Sequence, residues 1–118
     1  MLLEGKVIII TGSARGIGRV FAKGIAAVGG KVVVSDVLDG ESVAEEIRVT
    51  GGDAVFIRAD VSKIQDTKAL VKEAHDMFGQ IDGLVNNAAV HAELEYIPFD
   101  QIDEDEWDRV FAVNVKGV

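Results

Sequence analysis

Three glycines, Gly12, Gly16 and Gly18, fall within seven residues directly behind the apolar run Val7–Ile10 and the hydroxyl of Thr11. A strand that turns into a helix through such a stretch leaves the first helical N–H groups without partners, at the positive end of the helix dipole. That arrangement holds an anion, and a pyrophosphate suits it. Gly12 permits a tight turn, Gly16 lets a ligand approach the backbone, and Gly18 lets helix and sheet pack closely. Glycine turns also occur for packing alone. Asp36 adds a second handle, because it closes the next β-prone run, 24 residues after Gly12. In a dinucleotide-binding unit a carboxylate at that point accepts hydrogen bonds from the adenosine ribose hydroxyls and repels a 2′-phosphate. Val37 follows, where an arginine could have received that phosphate, so the pair favours NAD over NADP. Arg15, inside the turn, pulls the other way. On its own, Asp36 also reads as a solvated strand end.

The elements that must position these residues alternate along the chain. Lys6–Thr11 is expected as a strand buried on both faces, followed by a helix over Gly16–Val28 with Ile17, Val20, Phe21, Ile25 and Val28 on its inner side. Gly29 and Gly30 end that helix. Lys31–Asp36 reads as a strand, Glu41–Val49 as a short helix with Val43, Ala44 and Ile47 inward, and Asp53–Asp60 as a third strand. Ile64–Phe78 follows as a helix facing inward with Leu70, Val71, Ala74, Met77 and Phe78. Asp82–Ala88 is the fourth strand, and Asp103–Val118 the last helix, with Asp103 and Glu106 spaced as a capping box. Strict β-α alternation implies parallel strands joined by right-handed crossovers, with helices on both faces. The expected architecture is a Rossmann-like, doubly wound α/β sheet over residues 1–118, its four strands in the order 3-2-1-4.

Composition narrows the partners. The chain has 118 residues, 48% of them apolar, which suits one domain with a real core. The net charge of −8 argues against nucleic acid and anionic membrane. All of that imbalance lies in one stretch without Lys or Arg, formed by Glu93, Glu95, Asp100, Asp103, Glu104, Asp105, Glu106 and Asp108. It reads as a solvated loop and helix start before it reads as an acidic docking surface. No apolar run approaches the roughly 18–20 residues of a membrane span, and the opening MLLEGK lacks the pattern of a signal peptide. The absence of cysteine excludes disulfides and thiolate metal sites and fits a reducing cytoplasm. His75 and His91 stand apart and make no metal site; His91 follows the fourth strand on the side where a substrate would come, and reads first as a surface residue.

Four motifs in order give the chain a resemblance to the short-chain dehydrogenases/reductases. TGSARGIG (Thr11–Gly18) is similar to that family's TGxxxGxG turn, ADV (Ala59–Val61) to its Asp-Val pair after the third strand, NNAA (Asn86–Ala89) to its NNAG motif, and VFAVNVKG (Val110–Gly117) to the segment carrying its active-site Asn. The resemblance implies an NAD-linked oxidoreductase acting between an alcohol and a carbonyl. It implies that Gly12, Ser13, Arg15, Gly16, Ile17, Gly18, Asp36 and Val37 line the cofactor together with Asp60, Val61, Asn87, Ala88 and Ala89. Asp60 would lie near the adenine, and Asn87 and Ala88 by the nicotinamide ribose, with Asn87 also bracing the sheet. Asn114 would hold a water in a proton relay. Ala89 stands where the family commonly has Gly.

The family's YxxxK pair and its serine, which handle the proton that balances hydride transfer, have no counterpart in this sequence. The only tyrosine, Tyr96, has no lysine four residues on. The resemblance therefore implies the cofactor-binding half of a protein about twice as long. In that fold later strands add beside the fourth, so Leu84 and Val85 would form an open edge, and a homodimer or higher oligomer through that edge or the last helix is expected. A nucleotide-binding or oligomerising half-domain without catalysis of its own is the alternative.

Overall fold

Runs such as Val7–Ile10 and Val32–Val34 carry apolar side chains toward both faces, so they are stable only as strands covered on two sides. The structure, a computed structural model, describes residues 1–91 and 94–118; Glu93 of the acidic stretch lies outside the described residues. The elements are β1 (Val7–Thr11), α1 (Gly16–Ala27), β2 (Lys31–Asp36), α2 (Glu41–Val49), β3 (Asp53–Arg58), α3 (Ile64–Phe78), β4 (Gly83–Val85), a 3-10 turn (Phe99–Gln101) and α4 (Glu104–Asn114). The strands form one parallel sheet in the expected order β3-β2-β1-β4.

Two cores follow from the pleat. Ile10, Val32, Val34 and Ala54 face α1 and α2, where Ala22, Val43, Ala44 and Ile47 meet them. Val7, Ile9, Val33 and Ile57 face the other way, onto Leu70 and Ala74 of α3. The chain thus winds outward from β1 through β2 to β3, then crosses back over the opposite face to place β4 beside β1. The C-terminal ends of β1 and β4 become the point where the winding reverses, which is where doubly wound sheets open a crevice.

The structure corrects several expectations about faces and ends. On α1 the inward line is Gly18 and Ala22, with Ile25 and Ala26 half-buried, whereas Ile17, Val20, Phe21 and Val28 are exposed. Small residues let the helix lie close to the sheet, and the larger side chains are left outside. On α3, Val71 and Met77 are exposed and the contact runs through Leu70, Ala74 and Phe78. β4 is three residues long and not seven, because beyond Val85 the backbone N–H groups leave the ladder for a side chain of β1, described below. Asp103 is the N-cap residue of α4, but its side chain makes no capping bond, so the Asp103–Glu106 capping box does not form. The helix ends at Asn114 with no residue fully buried. Among the described residues no helix is long and apolar enough to cross a membrane.

If this layering is right, Ile9→Ala should destabilise the fold by about 2–5 kcal/mol, since Ile9 is 2% exposed. Val71→Ala should stay within about 0.5 kcal/mol. Urea denaturation of the two variants checks this; equal losses would contradict the assigned face of α3.

Candidate functional site

Gly12 and Gly16 have φ of +65° and +59°, backbone that L side chains rarely adopt, so the turn after β1 depends on glycine for its shape. The glycines differ in what surrounds them. A Cβ on Gly12 would lie 2.8 Å from Ala88 Cα, and one on Gly18 would lie 2.6 Å from Asn87 Nδ2 and run into the Gly12 carbonyl. Those two are closed in by protein. A Cβ on Gly16 would meet nothing within 4 Å, so this part of the turn faces open space. Arg15 is the N-cap residue of α1 with extended backbone; no side chain caps the helix and its first turn holds no acid. Arg15, Gly16 and Ile17 are exposed. An uncapped helix start beside an open backbone is a seat for an anion.

The turn is strapped to the end of β2. Ser13, fully buried, donates its N–H to the Ser35 carbonyl at 3.1 Å, accepts the Ser35 N–H on Oγ at 3.0 Å and donates Oγ–H to the Ile10 carbonyl at 2.7 Å. Its hydroxyl and N–H are spent inside the sheet, so among the residues expected to line the cofactor Ser13 is one that shapes the turn from behind. Asp36 Oδ2 accepts the Ala14 N–H at 3.0 Å, and its Oδ1 accepts the Leu38 N–H at 3.1 Å. The carboxylate is thereby fixed against the turn, with lone pairs left on both oxygens. Val37 is exposed beside it.

A second clasp joins β1 to β4. Thr11 Oγ1 accepts the N–H groups of Asn87 and Ala88, both at 3.1 Å, while Asn87 Nδ2 donates to the carbonyls of Thr11 at 3.1 Å and Gly12 at 3.0 Å. Asn87 braces the sheet as expected. Thr11 carries an equal share that sequence reasoning missed, although a hydroxyl at a strand end just before a glycine turn was a signal for it. Asn114 uses both ends of its amide on Val90: Oδ1 accepts the N–H at 2.7 Å and Nδ2 donates to the carbonyl at 3.1 Å. The side chain thereby ties α4 to the segment after β4. Ala88 is half-buried and Ala89 exposed at the mouth.

Beyond β3, Asp60 Oδ1 accepts the hydroxyl of Ser62 at 2.6 Å and its N–H at 2.9 Å. The Ser62 hydroxyl, then its N–H and the Lys63 charge, hold the Asp60 carboxyl below the usual carboxylate range. Val61, half-buried next to it, meets the end of the chain at Gly117, where a Cβ would come within 2.8 Å of Val61 Cγ2. The glycine turn, Asp36, Asp60 with Val61, and Asn87 through Ala89 therefore follow the C-terminal ends of all four strands. Tyr96, His75 and His91 are exposed, and among the described residues no three His, Cys, Asp or Glu side chains form a metal-binding group. A cleft of about 680 Å³ lies at the opposite ends of the strands, between Met1, Gly29, Gly51 and Asp53. It is a wide opening of mixed charge at the C-terminal ends of α1 and α2, without a helix N-terminus to receive an anion.

The fold is the doubly wound α/β architecture, with the glycine turn at the point where its winding reverses. The family model described as short chain dehydrogenase matches residues 6–118, and the chain belongs to that family, whose members are oxidoreductases that bind a nicotinamide dinucleotide. It is 40% identical to an uncharacterized oxidoreductase of Methylorubrum extorquens, with 98% of this chain and 47% of the relative covered. It is 40% identical to a galactitol 2-dehydrogenase of Agrobacterium fabrum, covering 99% of this chain and 44% of that protein. A mutant short-chain dehydrogenase/reductase of Serratia marcescens superposes with a TM-score of 0.90 at 33% identity, over 98% of this chain and 47% of the other. The chain spans about half the length of the curated relatives it matches.

The strap behind the turn gives a paired expectation. Ser13→Ala leaves the buried Ser35 N–H without its acceptor and should destabilise by about 1–3 kcal/mol. Ser35 Oγ is itself buried without a partner, so Ser35→Ala should leave stability unchanged or raise it. Denaturant unfolding of both variants decides, and the reverse order would contradict the strap.

Proposed function

We propose that this chain is the NAD(H)-binding part of a short-chain dehydrogenase that interconverts an alcohol and a carbonyl. The observation that carries the reading is the uncapped start of α1 at the open face of Gly16, with the Asp36 carboxylate fixed beside it. The N–H groups of Gly16, Ile17 and Gly18 would receive the pyrophosphate. Asp36 would accept the adenosine ribose hydroxyls on lone pairs that Ala14 and Leu38 leave free, and its charge favours NAD over NADP. Asp60 and Val61 would flank the adenine, and Asn87, Ala88 and Ala89 the nicotinamide ribose. The nicotinamide supplies hydride transfer; the residues of this chain bind it, orient it and keep its pocket rigid.

The sequence carries no YxxxK pair, and its one tyrosine is fully exposed. The chain should therefore bind NADH, seen as a fluorescence change, while reducing carbonyl compounds at least about 10²–10⁴-fold more slowly than a full-length relative. Asp36→Asn keeps an oxygen for the backbone but removes the charge, and should weaken NADH binding about tenfold. An unchanged affinity would remove Asp36 from the site, and no NADH signal at all would overturn the reading.

The same fold leaves apolar surface uncovered. Leu84 on the outer edge of β4 is 56% exposed, and Trp107, 52% exposed, stacks on Phe111 at 4.8 Å on α4. We propose that the isolated chain self-associates through this edge or α4. Light scattering at micromolar concentration should show a dimer or larger species; a clean monomer would contradict it. A cysteine-free chain suits the reducing cytoplasm, where we place its work.

A further inference from the structure

Two exposed helix faces of this chain carry opposite charge. On the outer side of α1, Val20, Gly24 and Val28 follow one another four residues apart, with Phe21 beside them. Val20 is 67% exposed and Phe21 44%. A Cβ on Gly24 would meet nothing within 4 Å, so the strip is open at its middle. Residues 15–28 contain Arg15, Arg19 and Lys23 and no acid. Arg19 and Lys23 share one carboxylate, that of Glu46 on α2, at 2.7 and 3.0 Å. This face is therefore apolar with a cationic border.

The region of α4 is its complement. Residues 94–111 hold seven carboxylates and one arginine. Among them runs an apolar groove of about 250 Å³, walled by Leu94, Ile97 and Ile102 before the helix and by Trp107 and Phe111 on it, and lined also by Glu95 and Glu106. Trp107 and Phe111 stack with their ring centroids 4.8 Å apart, and both are exposed. A contiguous apolar surface of this kind marks an interaction site. Two copies meeting α4 to α4 would set these carboxylates against their own counterparts, which is unfavourable. The α1 strip offers apolar side chains with the opposite charge at their border.

We propose that a second copy of this chain occupies the groove, with Val20 and Phe21 of its α1 against Trp107 and Phe111, and its Arg19 and Lys23 toward the acids. The inference rests on the self-association proposed above and names the surface that α4 meets. The contact joins two different surfaces, so it closes by two-fold reciprocity or adds further copies.

Sedimentation velocity of the 118-residue chain at micromolar concentrations, at low and high ionic strength, tests this together with the emission of Trp107, the only tryptophan. The chain should associate, the emission should move to shorter wavelength as concentration rises, and added salt should dissociate it. Pairing of α4 with α4 would instead tighten with salt. Lys23→Glu and Glu106→Lys should each raise the Kd about three- to tenfold, with circular dichroism unchanged. Mixing the two variants should restore association, because each then meets a surface of opposite charge, and so should both changes in one chain. The salt dependence of the unaltered chain decides the matter even where a variant fails to fold. The assignment is overturned, with self-association left standing, if the chain associates but salt does not weaken it, if Lys23→Glu leaves the Kd unchanged, or if the mixed variants stay apart. A monomer under every condition overturns self-association and this contact together.

Discussion

The clasp between Thr11 and Asn87 is the constraint on which the rest of the crevice depends. β1 and β4 share only three register pairs, Ile8 with Gly83, Ile9 with Leu84 and Ile10 with Val85. So short a ladder leaves the C-terminal ends of the strands free to splay. Four hydrogen bonds close them: two N–H groups onto Thr11 Oγ1, and two from the Asn87 amide onto the carbonyls of Thr11 and Gly12. Each contributes about 0.5–1.5 kcal/mol net. Their larger effect is positional, because they bring Asn87 and Ala88 so near the turn that only glycine fits at Gly12 and Gly18. The turn is then pinned from the other side by Ser13 and Asp36 on β2. Held at both flanks, the loop has one direction in which to open, and Gly16 faces it.

Charge is distributed in keeping with that geometry. The acids Glu104, Asp105 and Glu106 occupy the first turn of α4, where the dipole favours them. The start of α1 carries none, so its positive end is not neutralised from within the chain. Those acids sit on a helix that buries no residue fully. Asn114, the last residue of α4, grips both polar groups of Val90 with its amide.

Much of this was legible in the sequence, and the reasons are specific. β-branched runs and the spacing of apolar residues define the elements, and the strand order follows from strict alternation; β2, α2 and α3 fall on the residues expected of them. The glycine spacing located the turn. The inward face of α1 was misread because a count of large apolar residues points to Ile17, Val20 and Phe21, whereas contact is made through Gly18 and Ala22. Close packing rewards small side chains, and a search for hydrophobic periodicity does not see them. The length of β4 was overestimated because nothing in Asp82–Ala88 reveals that its last N–H groups are taken by a hydroxyl 76 and 77 residues away. The backbone partners of the Ser13 and Asn114 side chains could be named only from the structure.

The most direct test is amide-resolved NMR of the isotopically labelled chain during titration with ADP-ribose, which carries the pyrophosphate and adenosine of the dinucleotide without its nicotinamide. The account predicts that the signals of Gly16, Ile17 and Gly18 move first and furthest, followed by those of Asp36, Val37 and Asp60, while Gly29, Gly30, Gly51 and Gly52 around the opposite cleft stay still. Shifts confined to that opposite cleft, or a turn that does not respond at saturating ligand, would contradict it.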